Sequence, residues 1–258
     1  MFRLSDDGEG FEIDRAAHAF SSPDLPVPEV LSTGRAMGRA YAISRRCHGQ
    51  HLETLPAALS QPLEHALLRL LRALRTTPPP NDRVFWYAPE DATSWRQRLF
   101  QGVQDEPDAP AVTEVFRACR SRIESLLPAC PERRDLVHSD LLHQNVLVSE
   151  DGTRVQGVFS WKCSMLGDFL YDVAWCTFWS PWHPVLTGPA ILAKALAAED
   201  LTSADREQAA ERHHCYELQI AASHFSWFTF TRDNDNLLRA ARAAEEILAR
   251  GPLRQGRT

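Results

Sequence analysis

The run Leu136-Val-His-Ser-Asp-Leu-Leu-His-Gln-Asn-Val-Leu-Val148, continued by Val155-Gln-Gly-Val-Phe-Ser-Trp161, constrains this chain more than any other stretch. Val146-Leu-Val148 is a short β run, and Glu150-Asp-Gly152 is a turn with a glycine available for positive φ. Val155 to Phe159 makes the return strand, with position 160 at its end. Any fold that accommodates this segment has to carry a tight hairpin preceded by a polar loop that displays His138, Asp140 and Asn145.

Those residue types at that spacing suit transfer of a phosphoryl group. The reaction asks little covalent chemistry of the protein, but it needs an acceptor hydroxyl in line and magnesium bridging the phosphates. An Asp on the loop accepts the hydroxyl proton, and an Asn five residues later offers an amide oxygen to the metal. A second, charged metal ligand belongs at the far end of the hairpin. Here that position holds Ser160.

The run from His138 to Trp182, with Gly167-Asp-Phe-Leu-Tyr-Asp-Val-Ala174 and Phe178-Trp-Ser-Pro-Trp182, resembles the aminoglycoside phosphotransferase family, and within it the hygromycin B phosphotransferases. Pro26-Val-Pro-Glu-Val30, Tyr41-Ala-Ile-Ser-Arg45, Gly49-Gln-His-Leu52 and Thr93-Ser-Trp95 extend the likeness over nearly the whole chain. The resemblance implies an α+β, protein-kinase-like two-lobe fold, with a truncated N-terminal β lobe in residues 1–45 and a mostly helical lobe in residues 46–258. It implies ATP and Mg2+ as cofactors, Asp140 as general base, and Asn145 as a magnesium ligand beside the Ser160 position. His138, Asp168 and Asp172 are implied as braces of the loop. Met1 to Leu4 resembles the third strand of the small lobe, and Glu9 to Phe20 the helix that follows. Arg3 then stands where a phosphate-contacting cation is expected, with Asp14 as its partner. Ser44 and Arg46 fall in the hinge beside the nucleotide.

Two departures from the family pattern bear on function. Ser139 replaces a small Gly or Ala, a mild change. Ser160 replaces the metal-binding Asp; because magnesium is usually held by one or two carboxylates plus phosphates, a neutral hydroxyl there weakens the site. Three readings stay open. The chain is a kinase for a hydroxyl of hygromycin B or a related aminocyclitol, a catalytically impaired pseudokinase-like binder, or a kinase of another small alcohol such as a choline-like or sugar substrate. On the acceptor side, Trp179 and Trp182 are candidates for stacking on a sugar ring, and Asp233 and Asp235 for receiving ammonium groups. Tyr87, Glu90 and Asp91 are weaker candidates for the same task. Strands missing from the small lobe would leave a sheet edge open to self-association of an otherwise monomeric protein.

Composition narrows the remaining classes. With 258 residues, 44% of them hydrophobic, the chain can bury a sizeable core. A net charge of −6 argues against nucleic acid as the main partner and suits a polycationic ligand. No leader-like apolar stretch and no run of ~20 apolar residues is visible, so a cytoplasmic protein without a membrane anchor is expected. Cysteines 47, 119, 130, 163, 176 and 215 lack paired spacing, which favours reduced thiols over disulfides or zinc. Apolar positions at helical spacing predict amphipathic helices over Ser60 to Arg75 and Val112 to Leu127. Two more are predicted over Ala204 to Phe230 and Asn236 to Arg250, joined by an Arg232 to Asp235 loop.

Overall fold

The computed structural model describes residues 1–78 and 94–253. Tyr87, Glu90, Asp91 and Thr93 lie outside the described residues. The chain begins with a strand, β1 (Phe2–Ser5), a helix, α1 (Glu9–Ala17), and a hairpin of β2 (Val30–Ala36) and β3 (Arg39–Ser44). Its turn is Met37-Gly38, both at positive φ, as a tight hairpin with right-handed strand twist requires. The three strands form an antiparallel sheet in the order β1-β3-β2, with Phe2 opposite Ile43 and Arg3 opposite Ala42. Alternation along the strands turns Val30, Ala40 and Ala42 toward Phe11 of α1, and these four residues form a small separate core. Phe2, Leu4, Leu31 and Ile43 are left exposed.

The remaining chain adds β4 (Gln50–His51), α2 (Ser60–Thr76), α3 (Trp95–Gln101), α4 (Thr113–Leu126), β5 (Asp135–Val137), β6 (Val146–Val148), β7 (Val155–Val158) and β8 (Met165–Gly167). These are followed by α5 (Leu170–Trp179), α6 (Ala190–Leu196), α7 (Ser203–Arg206), α8 (Ala209–Thr231) and α9 (Asn234–Arg250). Two small antiparallel sheets, β4-β6-β7 and β5-β8, hold the 138–160 segment between them. The predicted hairpin is β6 and β7, with Gly152 at φ +70 in its turn. Helix α2 buries Leu63, Leu67, Leu70, Leu71 and Leu74 along one stripe. It stops where Thr77 turns extended ahead of Pro78, the conformation a following proline imposes.

Helix α8 is the axis of the large lobe and packs on α4, α5 and α9. Every residue of α5 is buried, so this helix is apolar all round rather than amphipathic. Two expectations need correction. The helix predicted from Ala204 to Phe230 is broken: α7 ends at Arg206, and Gln208 sits at φ +49 before α8 begins. The loop predicted at Arg232 to Asp235 is shorter, because α9 starts at Asn234 and takes in Asp235.

Candidate active site

Strand β5 delivers the chain into the 138–145 loop, and buried groups hold that loop in shape. The Asp172 carboxylate, one turn into α5, accepts the backbone N–H groups of both His138 and Ser139 at 2.8 Å. Burial pushes its carboxyl up to about 7 against those two N–H donors, with the Asp140 charge adding to the rise. His138 is fully buried, and its Nδ1 accepts the Asp140 N–H at 3.2 Å. Its Nε2 therefore carries the proton and donates to Phe159 O at 2.9 Å, tying the loop to the far strand of the hairpin. Burial holds this imidazole below its ordinary pKa, consistent with a neutral ring. Ser139 has φ +59, which explains why a small residue is wanted there, and its hydroxyl donates to Cys163 O at 2.6 Å.

Asp140 stands at the loop's centre with both carboxylate oxygens engaged. Asn145 Nδ2 donates to Oδ2 at 2.8 Å and to the Asp140 carbonyl at 3.0 Å. His143 Nδ1 lies 2.7 Å from Oδ1. His143 and Gln144 both have positive φ, and this double left-handed step folds the His143 ring back onto Asp140. Glu53, just before α2, accepts the Gln144 N–H and fastens the loop from the other side. Sequence reasoning missed His143 and Glu53; consecutive non-glycine residues at positive φ leave no compositional mark.

Asp168 does not brace this loop, contrary to expectation. Its carboxylate is fully buried and accepts Nε and Nη2 of Arg212, each at 2.7 Å, together with the Tyr216 hydroxyl at 2.7 Å and the Leu170 N–H at 3.1 Å. It pins α8 to the start of α5, leaving Asp172 as the carboxylate under the loop.

The small lobe meets the hairpin end through Asp14. Arg3 Nη1 donates to Asp14 Oδ2 at 2.6 Å, and Nη2 to the Ser44 hydroxyl at 3.3 Å. Asp14 Oδ1 accepts the Trp161 N–H at 2.9 Å, one residue beyond Ser160. The structure thus joins Arg3, Asp14 and Ser44. Ser44 is buried under the Arg3 guanidinium, and Arg46 is exposed outside the group. Ser160 has φ +62 and ψ +57, a left-handed corner from which the chain leaves the hairpin.

The aromatic candidates divide. Trp179 is 2% exposed and lies against the rings of His143, Trp182, His224 and Phe178. It offers no free face for a sugar to stack on and instead backs His143. Trp182 is half-buried, donates through Nε1 to Asn236 at 3.2 Å, and already carries the Arg239 guanidinium over its ring at 4.8 Å. Asp233 is the N-cap of α9, accepting the N–H and side-chain amide of Asn236 at 3.1 and 2.8 Å. Asp235 lies in the first turn of α9, where an acidic side chain complements the helix dipole.

The donors around Asn145 make a thin magnesium site. With Nδ2 committed to Asp140, Asn145 presents its Oδ1, and the hairpin end contributes only a hydroxyl. Among the described residues no three His, Cys, Asp or Glu side chains gather as metal ligands. The carboxylate that would balance a divalent charge is missing, and the residues present do not complete the site without it.

The sheet-and-helix small lobe, the braced Asp140 loop and the β6–β7 hairpin define a protein-kinase-like fold. Solved structures show the same architecture. The apo form of a thermostable aminoglycoside phosphotransferase APH(4)-Ia is 25% identical, with a TM-score of 0.78 over 96% of this chain and 86% of that one. A variant of the same protein in ternary complex with AMP-PNP and hygromycin B gives 25% identity and a TM-score of 0.76, over 96% of this chain and 85% of that one. The hygromycin-B 4-O-kinase of Escherichia coli is 32% identical over an alignment of 202 positions that covers 70% of this chain and 56% of that enzyme. The aligned part therefore spans little more than half the length of that relative. Residues 7–212 match the APH model, described as the phosphotransferase enzyme family, and the chain belongs to that family.

Proposed function

We propose that this chain is a small-molecule phosphotransferase of the aminoglycoside type. It transfers the ATP γ-phosphoryl group to a hydroxyl of hygromycin B or a related aminocyclitol in the cytoplasm, and so confers resistance. The observation that carries this reading is the Asp140 carboxylate, held 2.8 Å from the Asn145 amide on a loop whose backbone is tied to buried Asp172 and His138. Asp140 is the base. A carboxylate oxygen has two lone pairs, so Oδ1 takes one hydrogen bond from His143 and keeps the other for the acceptor hydroxyl proton. A positioned base of this kind contributes roughly 10²- to 10⁴-fold. Arg3, fixed by Asp14, is the cation for the nucleotide phosphates, and Asn145 Oδ1 would supply one ligand to a magnesium ion bound with them.

Ser160 favours a second reading, in which the chain binds its ligands and turns over poorly. The discriminating experiment is magnesium-dependent ATP turnover with hygromycin B, comparing the native chain with Ser160→Asp and Asp140→Ala. Loss of support around a metal typically costs about 10- to 100-fold, so Ser160→Asp is expected to raise turnover by at least that factor. Asp140→Ala should abolish it. Absence of phosphorylated hygromycin B from the Ser160→Asp protein would remove the substrate assignment. If hygromycin B raises the melting temperature of the native chain and no turnover follows, the second reading stands.

A further inference from the structure

Outside the catalytic loop the large lobe carries a cleft of about 270 Å³ between α2, α6 and the first turn of α5. Its floor is apolar: Leu68 and Leu71 from α2, Phe169 and Val173 at α5, and Ala195 from α6. Its rim is basic, with Arg69, Arg72 and Arg75 at successive i, i+3 positions of α2 facing Lys194 across the opening.

The rim carries more positive charge than its neighbours neutralise. Arg69 is paired with Asp24 and Lys194 with Glu64. Arg72 Nε and Arg75 Nη2, however, converge on one oxygen of a single carboxylate, Asp200 Oδ2, at 2.9 and 2.5 Å. Among the described residues, two guanidinium charges against one carboxylate leave a surplus of one. Arg75 is held in place as well as charged: its side chain is 12% exposed, with the guanidinium carbon 5.7 Å from the Phe169 ring centroid. Arg133 and Arg212 lie over the same ring at 5.2 and 5.9 Å, but Arg133 is paired with Asp135 and Asp205 and Arg212 with Asp168, so they add nothing to the charge at the mouth.

An apolar trough with two guanidinium groups sharing one carboxylate at its mouth, Arg75 held against the floor and Arg72 exposed, is complementary to a molecule built the other way round. We propose that this cleft is a binding site for a small amphipathic anion, a carboxylate or phosphate head on an apolar body of six to ten carbons. The head displaces or joins Asp200 on Arg72 and Arg75, whose planar forks suit a carboxylate or phosphate. The tail covers Leu71, Phe169 and Val173. The site does not depend on the phosphotransferase reading, because none of its lining residues belongs to the 138–145 loop or the hairpin.

The test is calorimetric titration of the full chain with octanoate, and in parallel with octanol and octyltrimethylammonium, which share the tail and change the head. One octanoate is expected per chain, at least tenfold tighter than octanol, with no saturable binding of the cation. Octyl phosphate in place of octanoate separates the two anionic heads, and either one binding supports the site. The double variant Arg72→Gln, Arg75→Gln should lose about tenfold toward octanoate and leave octanol unchanged. Ala195→Phe fills the trough and should abolish binding; if that variant melts early, Ala195→Leu serves, with an expected loss of several-fold. Equal affinity for all three heads, or octanoate affinity unchanged in a folded Ala195 variant, overturns the proposal.

Discussion

Breaking the Asp168–Arg212 pair is the sharpest stability test of this architecture. The two side chains are 0% and 1% exposed. Asp168 accepts two Arg212 N–H groups, the Tyr216 hydroxyl and the Leu170 N–H. Arg212 Nη1 is spent on the Asp205 and Glu207 carbonyls at 2.8 and 3.0 Å. In Asp168→Ala the guanidinium keeps those two carbonyls but loses its counter-charge in a site closed to solvent. Removing one partner of such a pair costs about 3–5 kcal/mol, most of it the penalty of the charge left behind. For a chain of this size each kcal/mol moves the melting temperature by roughly 2–4 °C, so the expected fall is about 6–20 °C. Replacing both partners, Asp168→Leu with Arg212→Met, removes the charges together, while the Tyr216 hydroxyl, the Leu170 N–H and the Asp205 and Glu207 carbonyls lose their partners. The double variant should therefore cost less than the sum of Asp168→Leu and Arg212→Met measured singly. Urea unfolding followed by circular dichroism measures the native chain and each of these variants, and equal m-values license the comparison. A loss below about 1 kcal/mol in Asp168→Ala, or costs that simply add in the double variant, would refute the view that an uncompensated buried charge dominates.

Three further outcomes follow from the same geometry. Ser139→Val places a β-branched residue at φ +59 and deletes the hydroxyl bond to Cys163 O; a loss of about 1–3 kcal/mol in urea melts is expected, against near neutrality for Ser139→Gly. Gly167→Ala sets a Cβ 2.7 Å from Cη2 of Trp95, a 3% exposed ring fixed by its bond to Tyr216 and edge contacts with Tyr171, so overpacking should cost about 1–3 kcal/mol. Asp172 binds its proton more tightly when folded, with a carboxyl near 7 against 3.8. Its ionisation penalty is absent below about pH 4, grows through the interval, and is complete above about pH 7. The stability of the native chain relative to Asp172→Asn should therefore decline from pH 4 to pH 8 by a few kcal/mol, and paired urea melts showing a flat difference contradict this.

The parts of the fold that were legible from sequence are those whose signal is local. The β6–β7 hairpin announces itself by its β run, its turn glycine and its return strand, and α2 and α4 by apolar residues that recur on one face. The break before α8 was not legible, because Glu207 and Gln208 carry neither glycine nor proline to mark the left-handed turn at Gln208. Trp179 misled for a related reason: a tryptophan after a catalytic motif suggests a ligand surface, but α5 is buried on every side and its rings are core. The family resemblance groups Asp168 with Asp172 as a brace of the loop. Its true partner, Arg212, is 44 residues away, and no spacing rule reaches that far.

Beside Lys162, which reaches Asp7 and Glu9 from the same corner, Asp14 ties the two lobes. One oxygen is held by Arg3 in the small lobe and the other by the Trp161 N–H at the hairpin corner. The corner itself, Ser160, brings no negative charge, and the nearest carboxylate in its hydrogen-bond network is this one, lent from across the lobe boundary. A motion that draws Asp14 away from Trp161 takes this carboxylate from the corner. Opening of the cleft and the electrostatics of the hairpin end are one coordinate in this chain, where a resident aspartate would have made them two.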